Sequence, residues 1–283
     1  MNILEEIIAN KRREIETPGY FQTLDTVVEN LPHVGTSCTE CDGKPARERG
    51  PDFVAALKAA STRLHDGVSA RQVGLIAEVK RKSPSAGPIR EPFDPAAIAH
   101  AYETAGAQAI SCLMDSNYFG GGEAQWNAVR AATKLPMLYK EFVIDPRQIF
   151  HADALGASAV LLIAAALNDA ELKKYIRMTE ASGMTPLVEV HTAEEMKRAA
   201  AAGAECIGVN NRNLKTFETK IETTLELLKL APKGCTLISE SGIRSASDIK
   251  MLHEAGISAV LVGESLLRQA DIGAAVRALM NLS

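Results

Sequence analysis

No stretch of this sequence is apolar for long enough to cross a bilayer. The opening residues, MNILEEIIANKRREIE, carry too many charges for a secretory signal. They read instead as an amphipathic helix over about residues 2–16. Excess charge of one sign is also missing. The 31 basic and 35 acidic residues leave a net charge of −4, which offers no footprint for nucleic acid or a membrane surface. Cysteines number only five: Cys38, Cys41, Cys112, Cys206 and Cys235. An odd count without a leader suits a reducing compartment, so a cytoplasmic protein is expected. Cys38 and Cys41 form a lone Cys-x-x-Cys without the second pair that zinc needs. Their surroundings are rich in glycine, proline and charge, which fits a loop better than the βα setting of a redox motif. No Gly-x-Gly-x-x-Gly follows the first strand pattern, which disfavours an open dinucleotide-binding sheet.

What recurs is a unit. From Gly74 onward, short apolar runs alternate with helix-period segments. The runs are GLIAEVK, AISCLM, MLYKEF, SAVLLIAA, TPLVEVH, CIGVNN, CTLISES and SAVLVGE. Between them lie segments such as DPAAIAHAYETAGA, DPRQIFHADALGA, TAEEMKRAAAAGA and SASDIKMLHEAGI, with Asp, Ser or Thr at the start and Gly near the end. Those are helix-capping residues. Strands alternating with helices imply parallel pairing through right-handed crossovers. Eight such units predict a closed (β/α)8 TIM barrel over residues 74–283. Residues 1–73 read as an N-terminal helical extension: a helix, an irregular stretch over about 31–51 and a second helix over about 52–65. The extension has too few apolar residues for a core of its own, so one domain is expected, with the extension able to cover one barrel mouth. With the eighth unit ending close to residue 283, no fused second enzyme is expected.

The polar residues within these strands carry the chemistry. Side chains alternate along a strand, so Ile76, Glu78 and Lys80 share one face. A charge pressed against the helix layer would be costly, so that face is the axial one. Barrel enzymes keep their chemistry at the C-terminal ends of the strands. Lys140, Glu189, Asn210, Arg212 and Ser241 end other strands in the same way. Two carboxylates among lysines form an acid–base set whose proton affinities can be driven apart by environment. A second theme is anion binding. Lys82, Ser83 and Ser85 follow the first strand, while SESGIRS and LVGESLLR follow the seventh and eighth and open helices. Glycines there allow close backbone approach, and helix N-termini offer unpaired N–H groups to a phosphate.

With those residues in place, the chain resembles the indole-3-glycerol phosphate synthase family. IAEVKRKSPS, YFGG, YKEFVIDPRQI, AVLLIAAAL, LVEVH, IGVNNRNL, SESGIR and LVGESL match the family's blocks in order and spacing. The resemblance spans about residues 1–16 and 50–281. It implies ring closure of 1-(2-carboxyphenylamino)-1-deoxyribulose 5-phosphate to indole-3-glycerol phosphate, with loss of CO2 and water. It also implies no metal or organic cofactor, and a phosphorylated small molecule as substrate, with no nucleic acid or membrane partner. A monomer is expected. Carried over, the catalytic set is Glu78, Lys80, Lys140, Glu189, Asn210 and Ser241. Ser83, Gly242, Gly263 and Glu264 would surround the phosphate, with Lys82 nearby and the Glu264 carboxylate turned away. Arg212 matches a site arginine, and Phe119 and Phe142 match an aryl pocket.

The family chemistry suits these residue types. Lys140 is the expected acid on the carbonyl oxygen, Lys80 pairs with the substrate carboxylate or also protonates the leaving hydroxyl, Glu189 is the base, and Glu78 tunes the lysines or shares proton transfer; the sequence leaves the division of acid roles between Lys80 and Lys140 open. The stretch HVGTSCTECDGKPARERG departs from the family's short linker, and Met114 and Ser116 depart in the loop after the second strand. Two other functions fit these strand ends less well. A phosphoribosylanthranilate isomerase-like barrel would want a Cys/Asp pair at strand ends, and a non-catalytic phosphate-binding barrel would have no need of every polar strand end. Trp126, His151, Cys112 and Cys206 read as packing residues, while His191 shares a face with Glu189 and could reach the mouth.

Overall fold

The computed structural model describes residues 3–21, 51–63, 69–71, 73–213 and 216–281. Cys38 and Cys41 lie outside the described residues. Eight parallel strands close into a barrel: β1 Gly74–Val79, β2 Ala109–Leu113, β3 Met137–Lys140, β4 Ala159–Ile163, β5 Thr185–Val190, β6 Cys206–Asn210, β7 Thr236–Glu240 and β8 Ala259–Val262. Closure runs through β8 and β1, where Val260 pairs with Leu75 and Leu261 with Ile76. All eight fall within the apolar runs of the sequence.

Most of the connecting helices begin where capping residues stand. The connecting helices are α3 (Pro95–Thr104), α4 (Glu123–Ala132), α5 (Pro146–Ala154), α6 (Asp169–Ala181), α7 (Ala193–Ala202), α8 (Glu222–Leu227), α9 (Ala246–Glu254), α10 (Glu264–Leu267) and α11 (Ile272–Met280). Asp94, Asp145, Asn168, Thr192, Ser245 and Asp271 each accept a backbone N–H in the first turn of the helix that follows. Each such cap contributes about 1 kcal/mol.

Alternation along the strands sorts the apolar residues into two cores. Leu75, Ala77 and Val79 face the helix layer, with Trp126, Tyr139 and Ile176. Ile76, Leu138, Leu161, Leu187 and Ile238 fill the barrel interior. Trp126 is fully buried, donates to the Leu155 carbonyl at 3.1 Å and stacks edge-on to Tyr139, so it is a packing residue. His151 bridges the Tyr139 hydroxyl and the Glu123 carboxylate within the same layer. Cys112 and Cys206 are buried, and burial pushes both thiols up to about 12.

The segment before β1 reaches both ends of the barrel. Helix α2, Phe53–Lys58, contributes Phe53 and Leu57 to the interior core. Its Leu57 carbonyl sits so close to Gly74 that an added Cβ there would lie 2.8 Å from it. This helix is shorter than the 52–65 expected from the sequence. Asp52 caps its start, and the chain leaves it to pair residues 61–63 antiparallel with 69–71. Helix α1, Ile3–Glu14, lies at the other end, where Ile3, Leu4 and Ile7 line the cavity in the barrel mouth.

Candidate active site

The mouth holds a cavity of about 630 Å³. Glu78, Lys80, Lys140, Glu189, Asn210, Arg212, Ser241, Gly242, Gly263, Glu264, Phe119 and Phe142 all line it. Twelve of the fourteen residues expected from the sequence therefore meet at one rim. Lys82 and Ser83 are not among the lining residues. Lys82 Nζ donates to the Asn117 carbonyl at 2.7 Å, and Ser83 Oγ accepts the Ala86 N–H at 3.2 Å inside a turn. Pro84 and Ser85 face the cavity in their place.

Lys140, the last residue of β3, lies at the centre of the charges. Its Nζ is 2.8 Å from Glu240 Oε2 and 3.2 Å from Glu189 Oε2. Burial works against its charge. The carboxylates of Glu240, Glu189 and Glu78 more than offset this and hold the ammonium well above the usual lysine range. Across the cavity, Lys80 forms a close ion pair with Glu78. Burial raises the Glu78 carboxyl, but Lys80, Lys140 and Arg212 together bring it below its ordinary value. Arg212 Nη1 reaches Ser85 Oγ at 3.1 Å, and the Arg212 N–H is received by Asn210 Oδ1. Phe119 and Phe142 face each other at 6.0 Å between ring centroids. Asp115 fixes that loop by accepting the N–H groups of Tyr118 and Phe119.

Glu240 is the rim residue that sequence reasoning passed over in favour of Ser241. Alternation could have found it, because Ile238 lies in the interior core and Glu240 shares its face. Ser241 follows with φ +68, where the strand has already turned. Two glycines make room for the carboxylates. A Cβ on Gly208 would lie 2.1 Å from Glu240 Oε1, and one on Gly263 would lie 2.6 Å from Glu78 Oε2. Gly263 thus has a second task besides the turn into α10. The carboxylate of Glu264, at the start of α10, is drawn to Arg268 at 2.9 Å.

Glu189 and Glu240 share one ammonium yet titrate apart. Burial raises both, but Lys140, His191 and the Asn210 amide bring Glu189 below its ordinary value. For Glu240, burial and the Glu189 and Glu78 charges outweigh Lys140, and its carboxyl is pushed up to about 7. The folded protein therefore holds a proton that the unfolded chain has released above pH ~4.3. Glu240's share of stability is present below that value and lost as pH rises through about 7. Between about pH 5 and about pH 8, wild type should lose stability relative to Glu240→Gln in urea melts. Equal losses in the two proteins would contradict the raised carboxyl.

Fold and rim together define the class: a (β/α)8-barrel enzyme with an acid–base cluster at the C-terminal mouth. A family model described as indole-3-glycerol phosphate synthase matches residues 47–279. The indole-3-glycerol phosphate synthase of Carboxydothermus hydrogenoformans is 49% identical over 210 residues, covering 74% of this chain and 80% of its own. That of Acidithiobacillus ferrooxidans is 42% identical over 277 residues, covering 98% and 97%. Among solved structures, the N-acetylmannosamine-6-phosphate 2-epimerase of Clostridium perfringens shares the fold at TM-score 0.58 and 17% identity, over 80% of this chain and 94% of its own. The chain belongs to the indole-3-glycerol phosphate synthase family, whose members are carboxy-lyases of tryptophan biosynthesis acting on a phosphorylated small molecule. No helix among the described residues is long and apolar enough to cross a membrane.

Proposed function

We propose that this chain closes the indole ring of indole-3-glycerol phosphate with Lys140 as acid and Glu189 as base. The observation that carries this reading is the placement of one buried ammonium between two carboxylates of opposite proton affinity. Lys140 gives its proton to the substrate carbonyl oxygen, which makes that carbon electrophilic toward the aromatic ring. Lys80 pairs with the substrate carboxylate and holds the ring over the carbonyl, supported by Phe119 and Phe142. Positioning of this kind can lower a barrier by several kcal/mol. Once the new bond has formed and CO2 has left, Glu189 removes a proton from the carbon beside nitrogen and an ammonium helps expel water. Glu78 holds Lys80 in place, and Glu240 keeps Lys140 charged. Asn210 supports Glu189, and Ser241 lies beside Glu240 at the end of β7.

The phosphate rests on the backbone N–H groups at Gly242, Gly263 and Glu264, with Arg212 and Ser85, which meet at 3.1 Å, closing the site. Helix openings after β7 and β8 favour an anion there. The residues before β1 belong to the same domain as the barrel, and the protein works as a cytoplasmic monomer without metal or organic cofactor. Inorganic phosphate should raise the apparent KM competitively and leave kcat unchanged. Absence of inhibition, or a fall in kcat alone, would remove the phosphate assignment.

A further inference from the structure

His191 stands behind the catalytic rim with each ring nitrogen facing a carboxylate. Its Nε2 is 3.3 Å from Glu189 Oε1, and its Nδ1 is 3.2 Å from Glu195 Oε2. The side chain is only 8% exposed, and Nε2 makes no aligned hydrogen bond despite its closeness to Glu189. Glu195, in the first turn of α7, also receives the His191 backbone N–H at 2.7 Å, which fixes the pair. On the far side lies a second cavity of about 500 Å³, lined by His191 and Glu195. Leu4, Asn210 and Arg212 line both cavities and so stand between them.

The reaction itself calls for a route of this kind. One proton goes to the carbonyl oxygen as the carbon–carbon bond forms. The bond to the carboxylate then breaks, releasing CO2, and its electron pair restores the aromatic ring. A second proton leaves with the hydroxyl as water, and the base recovers one proton from carbon. Two are spent and one is returned, so each turnover draws one proton from solvent. Leu4 and Ile7 of α1 line the same mouth as Lys140, on the side from which substrate enters the proposed site.

We propose that His191 relays this proton from the second cavity, by way of Glu195, to Glu189 and on to Lys140. This rests on the reading of Glu189 as base. A proton arriving at Nδ1 leaves from Nε2 to Glu189 Oε1, and Glu189 Oε2 lies 3.2 Å from Lys140 Nζ. The charged groups around the ring are Glu189 on β5, Glu195 on α7 and Glu240 on β7, with Glu5 of α1 and Arg212, Glu218 and Lys220 of the loop after β6 lining the same cavity. Burial disfavours the imidazolium, but the surrounding carboxylates prevail and raise its proton affinity above the ordinary histidine value.

The test is steady-state kinetics of His191→Asn, Glu195→Gln and Glu189→Gln, each checked for folding by circular dichroism. His191→Asn should lower kcat about 10-fold, with KM within about twofold, and enlarge the solvent deuterium isotope effect on kcat. Added imidazole should restore part of the rate in proportion to its concentration. Glu195→Gln should show the same isotope signature, and it carries the test if the His191 variant fails to fold. An unchanged kcat, or a loss with neither imidazole rescue nor a changed isotope effect, overturns the relay. Glu189→Gln separates the two readings. If it is inactive while His191→Asn is normal, only the relay fails; if it turns over normally, the base assignment fails and the relay with it.

Discussion

Lys140→Met should lower kcat by about three orders of magnitude while KM changes by less than about threefold. The substitution keeps the bulk of the chain in the barrel mouth and removes the one ammonium that sits between Glu189 and Glu240. Positioned general acids typically contribute 10²- to 10⁴-fold, and the upper part of that range is expected because the site is buried and electrostatics there are little screened. Substrate affinity should survive, since the phosphate loops after β7 and β8 and the Lys80 ammonium are untouched. With Lys140 gone, Glu240 loses its stabilising cation, so its carboxyl should stay protonated further above about 7. A loss confined to KM would mean that Lys140 binds substrate without giving it a proton.

The second large effect is on stability. Lys11 of α1 is 1% exposed, and its ammonium meets Glu14 at 2.6 Å, Asp115 at 3.1 Å and Glu141 at 3.1 Å. Tyr20 adds its hydroxyl to Glu141 at 3.1 Å. Burial raises the Glu141 carboxyl and repulsion from Asp115 adds to this, with Lys11 as the counterweight. Removing one partner of a buried ionic cluster costs about 3–5 kcal/mol, because the remaining charges stay buried and uncompensated. Lys11→Met should therefore destabilise the protein by about that amount in urea melts. The double variant Lys11→Met/Glu141→Gln should recover part of the loss, since fewer charges are stranded. Additive losses would show that the two residues act independently. Glu141 directly follows Lys140, so the same cluster fastens α1 beside the acid, and KM should rise in the single variant as the helix loosens from the mouth.

Local pattern was enough to read most of this from the sequence. The apolar runs, their period and the Asp, Asn, Ser and Thr caps are properties of neighbouring residues, and they placed all eight strands. Glu78, Lys80, Lys140 and Glu189 were legible because a charge on a strand's axial face has few places to go. Glu240 obeys the same logic, since it shares a face with Ile238, but Ser241 beyond it is the polar residue that ends the run and masks it. What stayed hidden was non-local. The amphipathic pattern of the first helix does not announce that Lys11 is buried, nor that Asp115 and Glu141 meet it, from 104 and 130 residues away. Helix α2 has the composition of any short apolar helix, and nothing in its own residues announces that Phe53 and Leu57 join the interior core of the barrel. The turning of Lys82 toward Asn117 depends on how the loops after β1 and β2 meet, which neither loop encodes alone.

The central claim is that the cluster around Lys140 carries out decarboxylating ring closure by acid–base chemistry alone. The most direct measurement is incubation of the purified protein with 1-(2-carboxyphenylamino)-1-deoxyribulose 5-phosphate in the presence of a chelator, following indole absorbance and CO2 together. The account predicts one CO2 for each indole ring formed, at an undiminished rate; no indole, or CO2 released without ring closure, would contradict it.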